Sequence, residues 1–285
     1  MKTKVETRRI WIFVLFAFVI AWLTALVIAF TGGIANSPDI TPGLRIRLTL
    51  ATVLIATVFM FAPALANILT RVITHEGWGN TWLRPHFKSG WRYWLAIWLL
   101  VPVFVVGGVI AYYSLFSAQL DPSLERLRQM LPAGVAAINP YVTVALQALQ
   151  GILLSVVINF IITFGEEFGW RAYLLQKLLP LGPRKAVLIS GVVSGVWHWP
   201  VIAMGHNYGF NYPFIPVPGM LAMVWFSIGL SALFSWGTLR SRSVWPAVIG
   251  HAVLNSVGGI GILFAGGNIY PLLGPTHESC CKEVI

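Results

Sequence analysis

The chain has 285 residues, 57% of them hydrophobic and only 10% charged, with a mean hydropathy of +0.78. So few charges cannot cover a water-soluble surface, which excludes a soluble globule, a coiled coil, a collagen-like rod, a disulfide scaffold and a disordered linker. Nineteen Lys and Arg against nine acids give a formal charge of +10; without a dense basic patch interleaved with aromatics, this excess reads as short loops facing anionic lipid, and no nucleic-acid partner is expected.

A helix needs about 17 to 25 apolar residues to cross roughly 30 Å of hydrocarbon. Seven stretches qualify: Ile10 to Phe30, Leu48 to Leu69, Trp91 to Phe116, Tyr141 to Phe164, Ala186 to about Met204, Met220 to Leu239 and Val244 to Ala265. The expected fold is therefore all-α, a polytopic transmembrane helix bundle of about seven spans. It forms one domain over residues 1–265, and 266–285 are a polar tail. The first stretch follows Lys2, Lys4, Arg8 and Arg9 in the manner of a signal peptide. Its apolar run is longer than a signal peptide's, so it reads as a retained span.

Basic residues set the orientation. The N-terminus, the 71–92 connection (Arg71, Arg84, Lys88, Arg92), the 171–185 connection (Arg171, Lys177, Arg184, Lys185) and the turn with Arg240 and Arg242 fall on alternate sides of successive spans. All four then share the cytoplasmic face, with the N-terminus cytoplasmic and the C-terminal tail extracytoplasmic. The other face carries Asp39, Arg45 and Arg47, then Asp121, Glu125, Arg126 and Arg128, then an uncharged loop from His206 to Pro218. Cys280 and Cys281 are neighbours in the tail and carry no visible chemistry.

The informative residues are polar ones inside apolar sequence. Seven acids lie in termini or connections, whereas Glu166 and Glu167 end an unbroken run from Leu149. An ionisable group at membrane depth costs several kcal/mol, so it is functional by default. His198, and His251 with Asn255, have the same character. Glu167 and Arg171 are i, i+4 with the acid first, the favoured order for a pair, so Glu167 has a partner on its own helix. Successive helical residues diverge by about 100°, so Glu166 points elsewhere and needs a different neighbour. His251 and Asn255 are also i, i+4. A carboxylate, two imidazoles and an amide from three segments can thus face one interior cavity.

Each feature has a plainer reading. Glu167 with Arg171 reads as a structural ion pair rather than a catalytic one. His198 alone would be an interfacial or hydrogen-bonded core residue, and His251 with Asn255 alone would be polar glue between helices. Trp78, Trp82, Trp91, Trp94 and Trp98 read as an interfacial belt. His75, His86, His206 and His277 sit in connections or the tail and receive no function.

Taken together, Gly165-Glu-Glu-Phe-Gly-Trp-Arg-Ala-Tyr-Leu-Leu175 resembles the EExxxR motif of the CPBP family. That family of intramembrane proteases includes the type II CAAX prenyl endopeptidases and the bacteriocin-immunity proteins. Trp197-His198-Trp199-Pro200 resembles its second motif and His251-Ala-Val-Leu-Asn255 its HxxxN motif, in matching order over about residues 150–256. One departure is plain: the second motif is usually FxxxH, and Ser194 stands where the Phe would be, a loss of packing rather than of a reactive group.

The resemblance implies a glutamate-dependent endopeptidase acting within the bilayer, here expected in a bacterial plasma membrane. Glu166 would be the general base for a water, His198, His251 and Asn255 would line the site, and Glu167 with Arg171 would support it. The partners would be membrane lipid and a membrane-associated peptide or protein substrate; a prenylated one is not implied. Two His and one Glu are also a possible set for a divalent metal such as zinc, through Glu166, His198 and His251. No HExxH pair exists, so a metal-free mechanism is preferred and the cofactor is left undecided. Intramembrane Glu and His also build proton relays, so a proton-coupled transporter or an immunity-type binding scaffold is the alternative class.

Depth poses a further question. His198 lies about 18 Å along its helix from Ala186, and His251 about 10 Å from Val244, whereas Glu166 comes near the end of a span entering from the other side. Tilt, or a break at Gly165 starting a new helix with both acids in its first turn, would bring them together.

Overall fold

Backbone polar groups in hydrocarbon must be satisfied within the segment, so long apolar runs become helices. The computed structural model describes residues 5–43, 47–131, 139–267 and 269–273 and is all-helical apart from isolated bridges. Lys2, Lys4, Arg45, His277, Cys280, Cys281 and most of the expected tail lie outside the described residues.

Helix α1 covers Thr7–Phe30. Helix α2, Leu50–Ile73, starts where the Thr49 side chain accepts a bond from the Thr52 N–H at 3.2 Å, an N-cap. It contains Pro63, which has no N–H for the Phe59 carbonyl; a π-helical turn at Ile55–Phe59 precedes it and absorbs the mismatch. Helix α3 is Phe87–Leu115. After it come α4 (Pro140–Ile158) and α5 (Phe160–Gly169), which continues through a π-helical turn at Trp170–Leu174 into a last turn ending at Leu178. Helix α6 is Pro183–Trp197, opened by Gly182 at φ +97° and by Pro183 at its first position. The short α7 is Trp199–Ala203, then α8 is Val217–Ser241 and α9 is Trp245–Val257, extended by a 3₁₀ turn at Ile260–Phe264.

Among the described residues five helices are long and apolar enough to cross a membrane: α1, α2, α3, α8 and α9 with its extension. The count of seven is not confirmed. The other two expected spans are divided, one at Asn159 between α4 and α5, the other at His198 between α6 and α7, where Pro200 removes a backbone donor. The divided pair of segments carries Glu166, Glu167 and His198.

The outward faces are apolar, with Phe104 61%, Ile110 62% and Trp225 76% exposed, as contact with lipid tails requires. Inside, α1 lies against α5 and α6 through a cluster of Phe13, Ala17, Ala21, Phe59, Trp170, Tyr173 and Trp197. Small residues allow the closest crossings. A Cβ on Gly191 or Gly195 of α6 would meet Ile228 or Val224 Cα of α8 at 2.7 and 2.6 Å, and Ser231 Oγ of α8 donates to the Val187 carbonyl of α6 at 2.8 Å.

Candidate active site

The acids are positioned by the contact of α5 with α2. Gly165 and Gly169, four residues apart, face α2 so closely that a Cβ on Gly165 would lie 2.7 Å from the Met60 carbonyl oxygen, and one on Gly169 would run into Pro63. Asn67 of α2 fixes the register by donating from Nδ2 to the Phe168 carbonyl at 2.9 Å, and its Oδ1 accepts from Arg71 Nε at 2.7 Å. Of the two alternatives, tilt or a break at Gly165, the break is not found. The helix runs straight through this glycine, a break falls six residues earlier at Asn159, and the two acids lie in the second turn of α5. Gly165 is there for close approach, not for a turn.

The two carboxylates diverge as helical geometry requires. Glu167 is 1% exposed and charge-compensated. Its Oε2 lies 3.1 Å from Arg171 Nε, its Oε1 accepts from Arg171 Nη1 at 3.4 Å, and the same Oε1 lies 2.8 Å from His251 Nδ1. Arg171 in turn sits 5.4 Å above the Phe234 ring, which is stacked with the His251 imidazole. Glu166, 2% exposed, has no cation of its own in contact. Its Oε2 accepts from the Trp170 indole N–H at 3.2 Å, and its Oε1 is buried without a hydrogen-bond partner.

His198 occupies the junction of α6 and α7, where its Nδ1 meets the Ser194 carbonyl oxygen at 2.8 Å. An imidazole that donates from Nδ1 keeps its Nε2 lone pair free. The Ser that replaces the family Phe therefore acts on His198 through its backbone, and the aromatic packing comes from elsewhere: the Phe59 ring of α2 lies 4.2 Å from Trp197 and 6.4 Å from His198. Among the described residues no hydrogen bond joins His198 to Glu166. Asn255 lies one turn beyond His251 on α9 with its side chain exposed. Beside it, Ser256 Oγ accepts from Asn159 Nδ2 at 2.8 Å, so the break before α5 is tied to α9 by a polar contact.

The proposed metal set does not fit. Among the described residues no three His, Cys, Asp or Glu are grouped to hold an ion, so Glu166, His198 and His251 are not brought together as a ligand set. No step below is routed through a metal.

Three features escaped the sequence. Trp170 lies inside the first motif, yet its bond to Glu166 depends on which way the ring turns. Asn159 marks the helix break, and no spacing rule singles it out. Arg71 and Lys177, read as residues of cytoplasmic connections, are 1% and 6% exposed in a network at the far end of α5. There Lys177 Nζ lies 2.5 Å from Glu76 Oε1 and 2.9 Å from Glu6 Oε1, while Tyr173 donates to Glu76 Oε2 at 3.2 Å. The network joins the start of α1, the end of α2 and the continuation of α5.

The carboxylate pair and His251 thus lie together where α5 meets α9, and the divided helices carry Glu166, Glu167 and His198. Residues 147–257 match the family model described as type II CAAX prenyl endopeptidase Rce1-like, and this segment is a domain of that family. It covers less than half of the chain and holds both motif acids, His198, His251 and Asn255. No curated protein matches the chain. With five helices long and apolar enough to cross a membrane and this matched segment, the chain is an integral membrane protein.

Proposed function

We propose that this chain is a glutamate-dependent intramembrane endopeptidase in which Glu166 is the general base. The observation that carries the reading is the contrast between adjacent acids. Each acid has one buried oxygen without a hydrogen bond, but that of Glu167 lies 3.1 Å from the Arg171 guanidinium, whereas among the described residues Oε1 of Glu166 has neither an ion pair nor a hydrogen bond. A carboxylate freed of competing hydrogen bonds in a water-poor site is a stronger base than one in water.

In the proposed reaction Oε1 of Glu166 takes a proton from a water, whose oxygen bonds to the scissile carbonyl carbon. His198 offers the Nε2 that its Ser194 contact leaves free to orient that water. Charge then develops on the carbonyl oxygen, and it accepts hydrogen bonds from the Asn255 amide and from Nε2–H of His251 in its protonated form, whose Nδ1–H is held by Glu167. Collapse breaks the carbon–nitrogen bond while Glu166 returns its proton to the leaving amine. No metal is part of this scheme.

We read residues 1–265 as one transmembrane domain, because α1 shares its core with α5 and α6, with the N-terminus cytoplasmic and the tail extracytoplasmic. The substrate is a membrane-associated peptide or protein, and prenylation is not required. Water reaches the site from the cytoplasmic end, where the basic connections lie.

The test uses the detergent-solubilised chain and a library of membrane-tethered peptides, with and without a chelator. Wild type cleaves some members in both conditions and Glu166→Gln cleaves none while remaining folded. Cleavage by Glu166→Gln at the wild-type rate removes the base from Glu166. A wild type that cleaves nothing favours a transporter or scaffold, and loss of activity with chelator alone puts a metal in the mechanism.

A further inference from the structure

Glu166 has two chemically equivalent oxygens on a side chain with three rotatable bonds. In an apolar site without a cation in contact, nothing intrinsic chooses which oxygen faces a substrate. The chain makes the choice with one group. The indole of Trp170, one turn further on, donates its single N–H to Oε2 at 3.2 Å, and Oε1 is left over. The need is mutual, since a fully buried indole N–H without an acceptor is costly.

The indole is held on two sides. Phe13 of α1 meets it edge-on at 5.7 Å and 85°, and Trp197 of α6 meets it edge-on at 5.6 Å and 76°. Trp197 is fixed in turn: its N–H donates to the Ala17 carbonyl at 3.1 Å, and its own carbonyl accepts from Trp22 at 3.2 Å. Trp170 and Trp197 are both 0% exposed, so neither ring has room to turn. The residue after Trp197 is His198, whose ring lies 4.6 Å from the Trp197 ring at 87°. A continuous aromatic wall therefore runs from the carboxylate to the imidazole. Its backing, Phe13, Ala17 and Trp22, comes from a helix outside the matched segment 147–257. A phenylalanine at 170 would fill most of the same space but could not donate.

We propose that Trp170 is a positioning residue for catalysis: its indole N–H holds Oε2 of Glu166 and so reserves Oε1 for the attacking water. The inference rests on Glu166 being the general base. Its effect belongs to the chemical step and leaves substrate binding unchanged, because the indole touches the carboxylate and not the peptide.

The experiment uses the full solubilised chain and a fluorogenic form of a peptide that wild type cleaves. Trp170→Phe is compared with the replacement of Trp170 by 3-benzothienylalanine, which keeps the ring outline and puts sulfur where the N–H was. Both lower kcat about tenfold or more, the scale of one lost hydrogen bond to a charged group, with KM within about twofold of wild type. A defect in packing alone is absent from the benzothienyl variant, so if Trp170→Phe does not fold, that variant decides. Unchanged kcat in the benzothienyl variant, beside an inactive Glu166→Gln, overturns this inference and leaves the protease reading standing. Full activity of Glu166→Gln overturns both.

Discussion

Glu167 Oε1 lies 2.8 Å from His251 Nδ1 across 84 residues of chain, and this contact joins the helix of the two acids to the helix that ends the bundle. With Arg171 on the other oxygen, Glu167 is the centre of a buried triad. Removing one member of a buried pair leaves a charge without compensation, typically at about 3–5 kcal/mol. Arg171→Ala should therefore act through stability, with a marked fall in detergent melting temperature. Combined with Glu167→Gln, the double variant Glu167→Gln/Arg171→Ala should recover part of that loss, the single Glu167→Gln completing the cycle. Additive losses in this cycle would mean that the two groups are not energetically coupled.

Glu166→Gln should behave in the opposite way. The amide keeps the volume, and its carbonyl oxygen can still accept the Trp170 N–H, so nothing that stabilises the fold is removed. Melting temperature should stay unchanged or rise, because reactive groups in apolar sites are held at the expense of stability. An early-melting Glu166→Gln beside a fully stable but inactive Arg171→Ala would reverse the roles assigned to the two acids.

The divergence of Glu166 from Glu167 was legible in the sequence because it follows from helical rotation alone, and the Arg171 partner because it is one turn away. His251 was legible as a site residue, but not as the partner of Glu167, since a contact over that separation depends on how α5 and α9 cross. Gly165 was a candidate for a break because glycine in an apolar run reads equally well as a turn or as a place where backbones touch. Only the position of α2 decides between them. The spans that came out divided could not be told from whole ones, since hydropathy records burial and not continuity.

That glycine contact yields its own expectation. A methyl group at Gly165 would press on the Met60 carbonyl and the Phe61 ring, neither of which can retreat within a helix. Gly165→Ala should cost about 1–3 kcal/mol, the usual scale for overpacking, and lower activity by shifting Glu166. Gly107→Ala on α3 is the control, since a Cβ there meets nothing within 4 Å. Equal melting temperatures for the two variants would remove the argument that Gly165 sets the approach of α5 to α2.

The last expectation concerns pH at the network that ties α1 to the continuation of α5. Burial raises the pKa of Glu6, but hydrogen bonds from Lys177 and Arg9 outweigh it, so the carboxyl is held below its ordinary value of 4.5. A depressed carboxyl contributes stability that is present above the unfolded value and is lost as pH falls through the folded one. Glu6 is 42% exposed, so solvent screens the pair and its contribution is about 1 kcal/mol or less. Glu6→Gln should then melt a few degrees at most below wild type at pH 7, and the two curves should converge as pH drops below 4.5. High salt should narrow the gap at pH 7. A gap that persists undiminished at low pH would show that Glu6 stabilises α1 through packing and not through its charge.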